Sequence, residues 1–265
     1  MRTPLTATPA FQALQQHHTE TQGRQVRDLF AQDAARFTKL SAEGAGLFLD
    51  YSKNIVDDKT MALLHALARD TQVEAQRDAM FAGKEVNRTE HRAVLHTALR
   101  KPRGEKLVLD NKDIVPEIQA VLDQMAAFTE RVRSGDWRGY DGREITDIVN
   151  IGIGGSYLGP KMTCQALRSF AHPRLITHFV SNVDGHDLDA ILSRVDPATT
   201  LFIVASKSFH TEETMMNAQS ARAWFLKHAK ENDLAKHFVA VSTHLDAVKT
   251  CLLYTSPSPR DATLS

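Results

Sequence analysis

Cysteine is nearly absent. Cys164 and Cys251 are the only two in 265 residues. Two thiols cannot build a disulfide framework, and such sparse use fits a reducing compartment. An excess of one charge is missing too. Lys plus Arg and Asp plus Glu each number 32, so no net field favours nucleic acid or an anionic membrane as a partner. No apolar run approaches the ~20 residues of a membrane-spanning helix. Residues 1–23 are polar and rich in Gln and Thr, without the apolar core of a signal peptide. Internal repeats are also lacking. What remains, at 42% apolar and 24% charged residues, is the composition of a soluble globular protein with one large or two modest domains, expected in the cytoplasm.

Helical spacing fills residues 24–100. "RDLFAQDAARF" carries Leu29, Phe30, Ala34 and Phe37 on one face, and "DKTMALLHALARD" repeats the pattern through Met61, Leu64, Leu67 and Ala68. In "NRTEHRAVLHTALR", Asn87 and Glu90 have the spacing of a capping box, and Val94, Leu95, Ala98 and Leu99 form an apolar stripe. The spacing predicts a helix there, stopped by "KPRGE" at 101–105, the expected domain boundary. A further helix is predicted over 114–134. Pro116 suits its first turn, and Gly135 ends it.

Beyond residue 146 the pattern changes. "DIVNIG", "LITHFVS", "TLFIVAS" and "HFVAVS" are short, continuous apolar runs of the kind that form strands covered on both faces. Helical segments at about 158–170, 186–194 and 212–230 separate them. Alternating strands and helices predict an α/β fold, a parallel sheet with helices on both faces, preceded by the N-terminal helical region. The division expected is 1–110 for the helical region and linker, 111–250 for an incomplete α/β domain, and 251–265 for a tail. That tail, "CLLYTSPSPRDATLS", contains Pro257 and Pro259 among serines and is expected to be disordered and foreign-looking, as from read-through of a truncated or chimeric frame.

The stretch "NIGIGGSYLGP", 150–160, places four glycines behind the first strand. A dinucleotide fingerprint would need a third glycine where Tyr157 stands, and an acidic residue where Ser181 and Asn182 stand. A triphosphate loop would need Lys-Ser/Thr directly after Gly159, where Pro160, Lys161 and Met162 follow instead. A single phosphate group remains. Gly154 and Gly155 can expose backbone N–H groups, Ser156 adds a hydroxyl, and a helix expected near Leu158 adds its positive end. The plainer reading is a tight turn whose glycines only relieve packing.

A second stretch, "SKSFHTEET", 206–214, follows the third strand with Ser206, Lys207, Ser208 and Thr211. Its plainer reading is a helix cap with Thr211 as N-cap, Glu212 and Glu213 complementing the helix dipole and the lysine merely exposed. In a parallel sheet both loops emerge at the carboxyl edge, where open α/β sheets bind ligands. One lysine suits one phosphate group. No metal is expected. His91 and His96 are five apart and share no helix face as zinc ligands would. His186 fits a capping position at the next helix.

With both loops in view, the sequence resembles the glucose-6-phosphate isomerase family of the sugar-isomerase (SIS) fold. The likeness is carried by "MFAGKEVNRTEHRAVLHTALR", "VRSGDWRGYDGREITDIVNIGIGGSYLGP", "SNVDG" and "SKSFHTEETMMNAQSARAWF", and runs from about 24 to 249. The resemblance implies a flavodoxin-like first SIS domain. It also implies interconversion of glucose 6-phosphate and fructose 6-phosphate through an enediol, without cofactor or metal, in a cytosolic homodimer when full length. It places the substrate phosphate on Gly155, Ser156, Ser206, Lys207, Ser208 and Thr211, with Glu213 in support. The family's catalytic Glu, His and Lys fall in a second domain that this chain lacks, so no catalytic residue is assigned here, and no turnover is expected of the chain alone. Tyr157 stands where the family commonly has Asp, Ser208 where it usually has Thr, and His210 replaces another Thr, to face solvent or add a donor near the phosphate. The alternative is a non-catalytic phosphosugar-binding SIS module.

Overall fold

A computed structural model describes residues 4–242, 244, 248 and 254–255. The chain forms two compact units, residues 1–91 and 92–265. In the first, Pro9 and the Thr8 hydroxyl, which accepts from Phe11 N at 3.4 Å, start α1 (Pro9–Thr21). The short helices α2 (Val26–Gln32) and α3 (Arg36–Lys39) follow. The region is not all helical as expected. β1 (Ser41–Gly44) and β2 (Leu47–Asp50) make an antiparallel hairpin. Ala45 and Gly46, at φ 52° and 73°, supply the two left-handed residues that such a tight turn requires. α4 (Asp58–Asp70) opens on a capping box between Asp57 and Thr60, and α5 (Val73–Phe81) and β3 (Glu85–Asn87) complete the unit.

Two buried polar groups tie this unit together. The Arg36 guanidinium donates to the carbonyls of Ser52, Asn54 and Val56 at 2.8, 2.6 and 2.9 Å. His17 Nε2 lies 3.1 Å from Asp57 Oδ1 and 2.9 Å from Thr60 Oγ1, joining α1 to α4. Burial pushes the Asp57 carboxyl up, but hydrogen bonds from the Thr60 N–H, Arg24, the Thr60 hydroxyl and His17 outweigh it and hold the group well below the usual carboxylate range.

The helix expected over 87–100 is absent. Arg92–Ala93 is a short strand, β4, and only Ala98–Arg100 turns, as a 3-10 segment. Asn87 and Glu90 do bond each other, at 3.3 Å through both Asn87 Nδ2 and Oδ1, but in a turn. Leu95 and Ala98 are buried all the same, against Leu107, Ile114, Val115 and Ile118. The apolar stripe thus reflects packing rather than helix period.

After the hairpin β5 (Val108–Leu109) and β6 (Lys112–Asp113), α6 (Val115–Ser134) agrees with the sequence, and Gly135 ends it at φ 89°. Then come β7 (Asp147–Ile151), α7 (Gly155–Ala166), β8 (Ile176–Val180), α8 (Gly185–Leu192), β9 (Thr200–Ala205), α9 (Glu212–Phe225), α10 (Leu234–His237), β10 (Phe238–Val241) and β11 (Tyr254–Thr255). The sheet is parallel, in the order β11-β10-β9-β7-β8. Apart from the two residues of β11, the expected tail lies outside the described residues.

Strand alternation divides the apolar side chains between two cores. Val149, Ile151, Val180, Phe202 and Val204 meet Leu188 and Ile191 of α8 and Ala221 and Phe225 of α9. On the other face Ile148, Leu201 and Ile203 meet Phe128 and Val132 of α6. Helices therefore cover both faces, as the strand–helix alternation predicts. Among the described residues no helix is long and apolar enough to cross a membrane.

Candidate functional site

β7 has β8 on one side and β9 on the other. From β7 the chain leaves through α7 to β8. From β9 it leaves through α9 towards β10, and α9 packs on the face opposite α6. Neighbouring strands whose connections part in this way leave a crevice above their carboxyl ends. Ile151 is in register with Val204, so residues 152–156 and 205–211 leave the sheet side by side.

Gly152 is the point where the two loops touch. A Cβ built there would lie 2.7 Å from Ser156 O, 2.9 Å from Ser156 Cβ and 3.1 Å from Ala205 O. Gly154 has φ 58° and ψ −120°, a conformation that side chains avoid. Gly155 differs from both, since no positive φ constrains it and a Cβ there would meet open space. Packing does not explain that glycine, whereas a ligand lying against its backbone would. α7 begins at Gly155, three residues earlier than expected, with Gly154 as an N-cap that brings no side chain to cap it. Asn150 Nδ2 holds the opening turn from below, donating to Ser156 O at 3.1 Å.

The second loop is braced by side chains. Ser206 is buried, and its Oγ accepts from Phe209 N at 3.2 Å and lies 3.2 Å from Thr211 Oγ1. Phe209 is forced to φ 55° while its ring is buried in the core beneath the loop. A non-glycine residue in that region costs of order 1–3 kcal/mol and persists only where its surroundings hold it. Ser242 Oγ donates to Lys207 O at 2.9 Å from the end of β10. Lys207 and Ser208 are exposed at the tip. Thr211 occupies the N-cap position of α9 but makes no cap hydrogen bond with its side chain, which turns to Ser206 instead. The simple helix-cap reading therefore does not account for it.

Of the residues expected at the phosphate, Gly155 and Ser156 lie on one loop, and Ser206, Lys207, Ser208 and Thr211 on its neighbour. Glu213 is exposed in the first turn of α9 beside Glu212. His210 is exposed and sits 5.3 Å, centroid to centroid, from the ring of His244. His186 lies in the first turn of α8, which Asp184 caps by accepting its N–H at 3.0 Å. Asn150 escaped the sequence reading, which weighed Gly152 only as one of the glycine run. Asn217 escaped it too, and sits buried on α9, reaching Asn182 O in the loop after β8 at 2.7 Å. Their roles depend on strand register, which composition does not display. Among the described residues no three His, Cys, Asp or Glu side chains are grouped to hold a metal.

Comparison with known proteins follows the same lines. The family model described as phosphoglucose isomerase matches residues 50–254. Glucose-6-phosphate isomerase of Deinococcus radiodurans is 55% identical over 246 residues, covering 92% of this chain and 46% of the relative. Glucose-6-phosphate isomerase 1 of Chromobacterium violaceum is 54% identical over 245 residues, covering 92% and 45%. The crystal structure of a glucose-6-phosphate isomerase from Chlamydia trachomatis aligns with a TM-score of 0.76 at 27% identity, over 91% of this chain and 45% of that one. The chain spans about half the length of the curated relatives it matches.

Proposed function

We propose that this chain, which belongs to the phosphoglucose isomerase family, is the phosphate-binding half of an enzyme that interconverts glucose 6-phosphate and fructose 6-phosphate. The observation that carries the reading is the contact at Gly152, where Ser156 O and Ala205 O would both crowd a Cβ. There the ends of β7 and β9 meet at the switch point of the sheet, and this supports reading the glycine-rich helix start and the Lys/Ser/Thr loop that leave them as one site. The substrate phosphate binds the Gly155 backbone, the hydroxyls of Ser156, Ser208 and Thr211, and the Lys207 ammonium. Ser206 holds the loop in shape, and Glu213 supports the site from the first turn of α9. Charge-assisted hydrogen bonds of this kind contribute about 1.5–3 kcal/mol each.

The chemistry of an aldose–ketose exchange needs ring opening, removal of a proton beside the carbonyl, and stabilisation of the enediolate. In this reading those steps belong to the part of the relatives that the chain does not match. Residues 111–250 contribute the grip that holds carbons one and two in place, so that distant binding energy lowers the barrier there. The complete enzyme is a cytosolic homodimer serving glycolysis and gluconeogenesis.

Calorimetric titration of the 265-residue chain tests the proposal. Glucose 6-phosphate is expected to bind and unphosphorylated glucose not to, with no isomerisation in a coupled assay. Ser156→Ala and Lys207→Ala are each expected to weaken binding by about tenfold or more. Equal binding of both sugars, or unaltered affinity in both variants, would refute the phosphate assignment. Turnover by the purified chain would refute the division of labour.

A further inference from the structure

Tyr157 and Lys161 stand one helical turn apart on α7, four residues apart and on the same face. Lys161 Nζ donates to Tyr157 Oη at 2.6 Å and lies 4.9 Å from the ring centroid. The ring meets Phe179 of β8 edge-on at 6.2 Å. Ser181, just past the end of β8, acts on the same phenol and helps lower its pKa. Ser181 is itself fixed, because Asp187 of α8 accepts the N–H groups of Ser181 and Asn182 at 3.1 and 3.0 Å. The phenol is thus tied to the Lys161 ammonium and set against the Phe179 ring, in the residue directly after Gly155 and Ser156.

We infer that Tyr157 is a positioning residue for the phosphate loop. Its side chain, tied to Lys161 and packed edge-on against Phe179, fastens the first turn of α7 to β8 and keeps the Gly155 backbone and the Ser156 hydroxyl aimed at the bound phosphate group. The inference rests on the phosphate reading above. It assigns a task to a side chain that the reading leaves unused.

Electrostatics adds a signature that plain packing would not give. The Lys161 hydrogen bond lowers the Tyr157 pKa from its ordinary value, helped by Ser181, while burial and the Asp187 charge oppose the shift. A phosphate dianion on Gly155 and Ser156 would sit within roughly one Debye length, about 10 Å, of the phenol. Binding of phosphate must then disfavour the tyrosinate, and by reciprocity the tyrosinate must disfavour phosphate.

The test uses the 265-residue chain, inorganic phosphate and tyrosinate absorbance. Subtracting the titration of Tyr157→Phe isolates Tyr157 from Tyr51, Tyr140 and Tyr254. The midpoint should lie below the usual ~10, move up in Lys161→Met, and move up again when phosphate saturates the parent chain. Tyr157→Phe should bind phosphate about fivefold more weakly. Circular dichroism checks that each variant folds. If Tyr157→Phe does not, Lys161→Met, which keeps the phenol in place, carries the binding comparison. Phosphate binding that Ser156→Ala weakens, combined with an unmoved Tyr157 midpoint and normal affinity in Tyr157→Phe and Lys161→Met, overturns this inference and leaves the phosphate reading intact. A parent chain that binds no phosphate overturns both.

Discussion

The two loops that meet above Gly152 are made of different materials. The first, 152–156, is mostly backbone. It has a glycine wedged between loops, a second glycine in a conformation closed to side chains, and a third with open space where a Cβ would go. The second, 206–211, works through side chains on a braced main chain. The Ser206 hydroxyl, the buried Phe209 ring and Ser242 hold it in place, and Lys207 and Ser208 are presented at the tip. Backbone donors on a helix start are fixed in direction and add no charge of their own beyond the helix dipole. A lysine adds a full charge but must be positioned. The pair divides the work of holding an anion into orientation and attraction.

The harshest way to break this comparison is Gly152→Ala. The added methyl would press on both loops, with backbone oxygens at 2.7 and 3.1 Å. Backbone cannot swing aside as a side-chain tip can. A loss of about 1–3 kcal/mol of stability is expected, together with loss of glucose 6-phosphate binding. Urea unfolding and calorimetry measure the two. A stable variant that still binds would mean that the loops are not in fact joined there.

Gly154 and Gly155 sharpen the contrast, since they are neighbours with opposite expectations. Gly154→Ala forces a side chain into φ 58°, ψ −120° and should cost of order 1–3 kcal/mol. Gly155→Ala meets no protein atom and no strained φ, so its stability should change by under about 0.5 kcal/mol. Its phosphate-ester affinity should nonetheless fall, because the methyl occupies space assigned to the ligand. The same loss of affinity without loss of stability would not arise if Gly155 served packing alone.

In the second loop the informative change is Lys207→Met. It keeps much of the stem and removes the charge. Affinity should drop by about tenfold at low salt, and the difference from the parent should narrow as salt screens the remaining attraction. A loss that ignores salt would assign Lys207 a packing role. It would also return the attraction to the helix start of the first loop.

Much of the α/β unit is legible because its signals are local. Short apolar runs rich in Val, Ile and Phe mark β7, β8, β9 and β10, and Pro116 and Gly135 bracket α6 within a residue. The region before it is less legible. The Asn87–Glu90 pair bonds as a capping box would, yet in a turn, and Leu95 and Ala98 find their core through irregular chain packed beside α6. Periodicity there records a tertiary contact. The hairpin of β1 and β2 hides because Leu47, Phe48 and Leu49 are all exposed, so no alternation of buried and exposed side chains announces a strand. At the candidate site the residue types stand in the sequence, but the wedge at Gly152, the support from Asn150 and the contact from Asn217 need the register of β7 against its neighbours. The early start of α7 is hidden for a related reason. Glycines at a helix start read as loop until the strand before them is placed.

The smallest expected effect concerns what lies beneath the second loop. His237 joins the start of β10, whose far end carries Ser242, to β9. Its ring is buried, Nδ1 lies 2.6 Å from Thr200 O, and Nε2 accepts the Tyr140 N–H at 2.9 Å. A carbonyl partner on one nitrogen and an N–H donor on the other specify the neutral ring with its proton on Nδ1. Burial accordingly lowers the pKa from its ordinary value, against the smaller opposing pull of the Thr200 carbonyl. The unfolded chain then binds more protons than the folded one below the free value, ~6.5. This contribution to stability is complete above that pH and is lost progressively as the pH falls from there through the folded pKa. Urea unfolding of the 92–265 unit across that window should show a decline that His237→Gln flattens, at the cost of lower stability near neutrality. Because protonation would set an N–H of His237 against the N–H of Tyr140, phosphate affinity should weaken in the same window through the braced loop and not through the glycine loop. Gly155→Ala, already weakened, should keep this pH dependence. If it loses it, the two loops respond as one body, and the division between orientation and attraction must be drawn elsewhere.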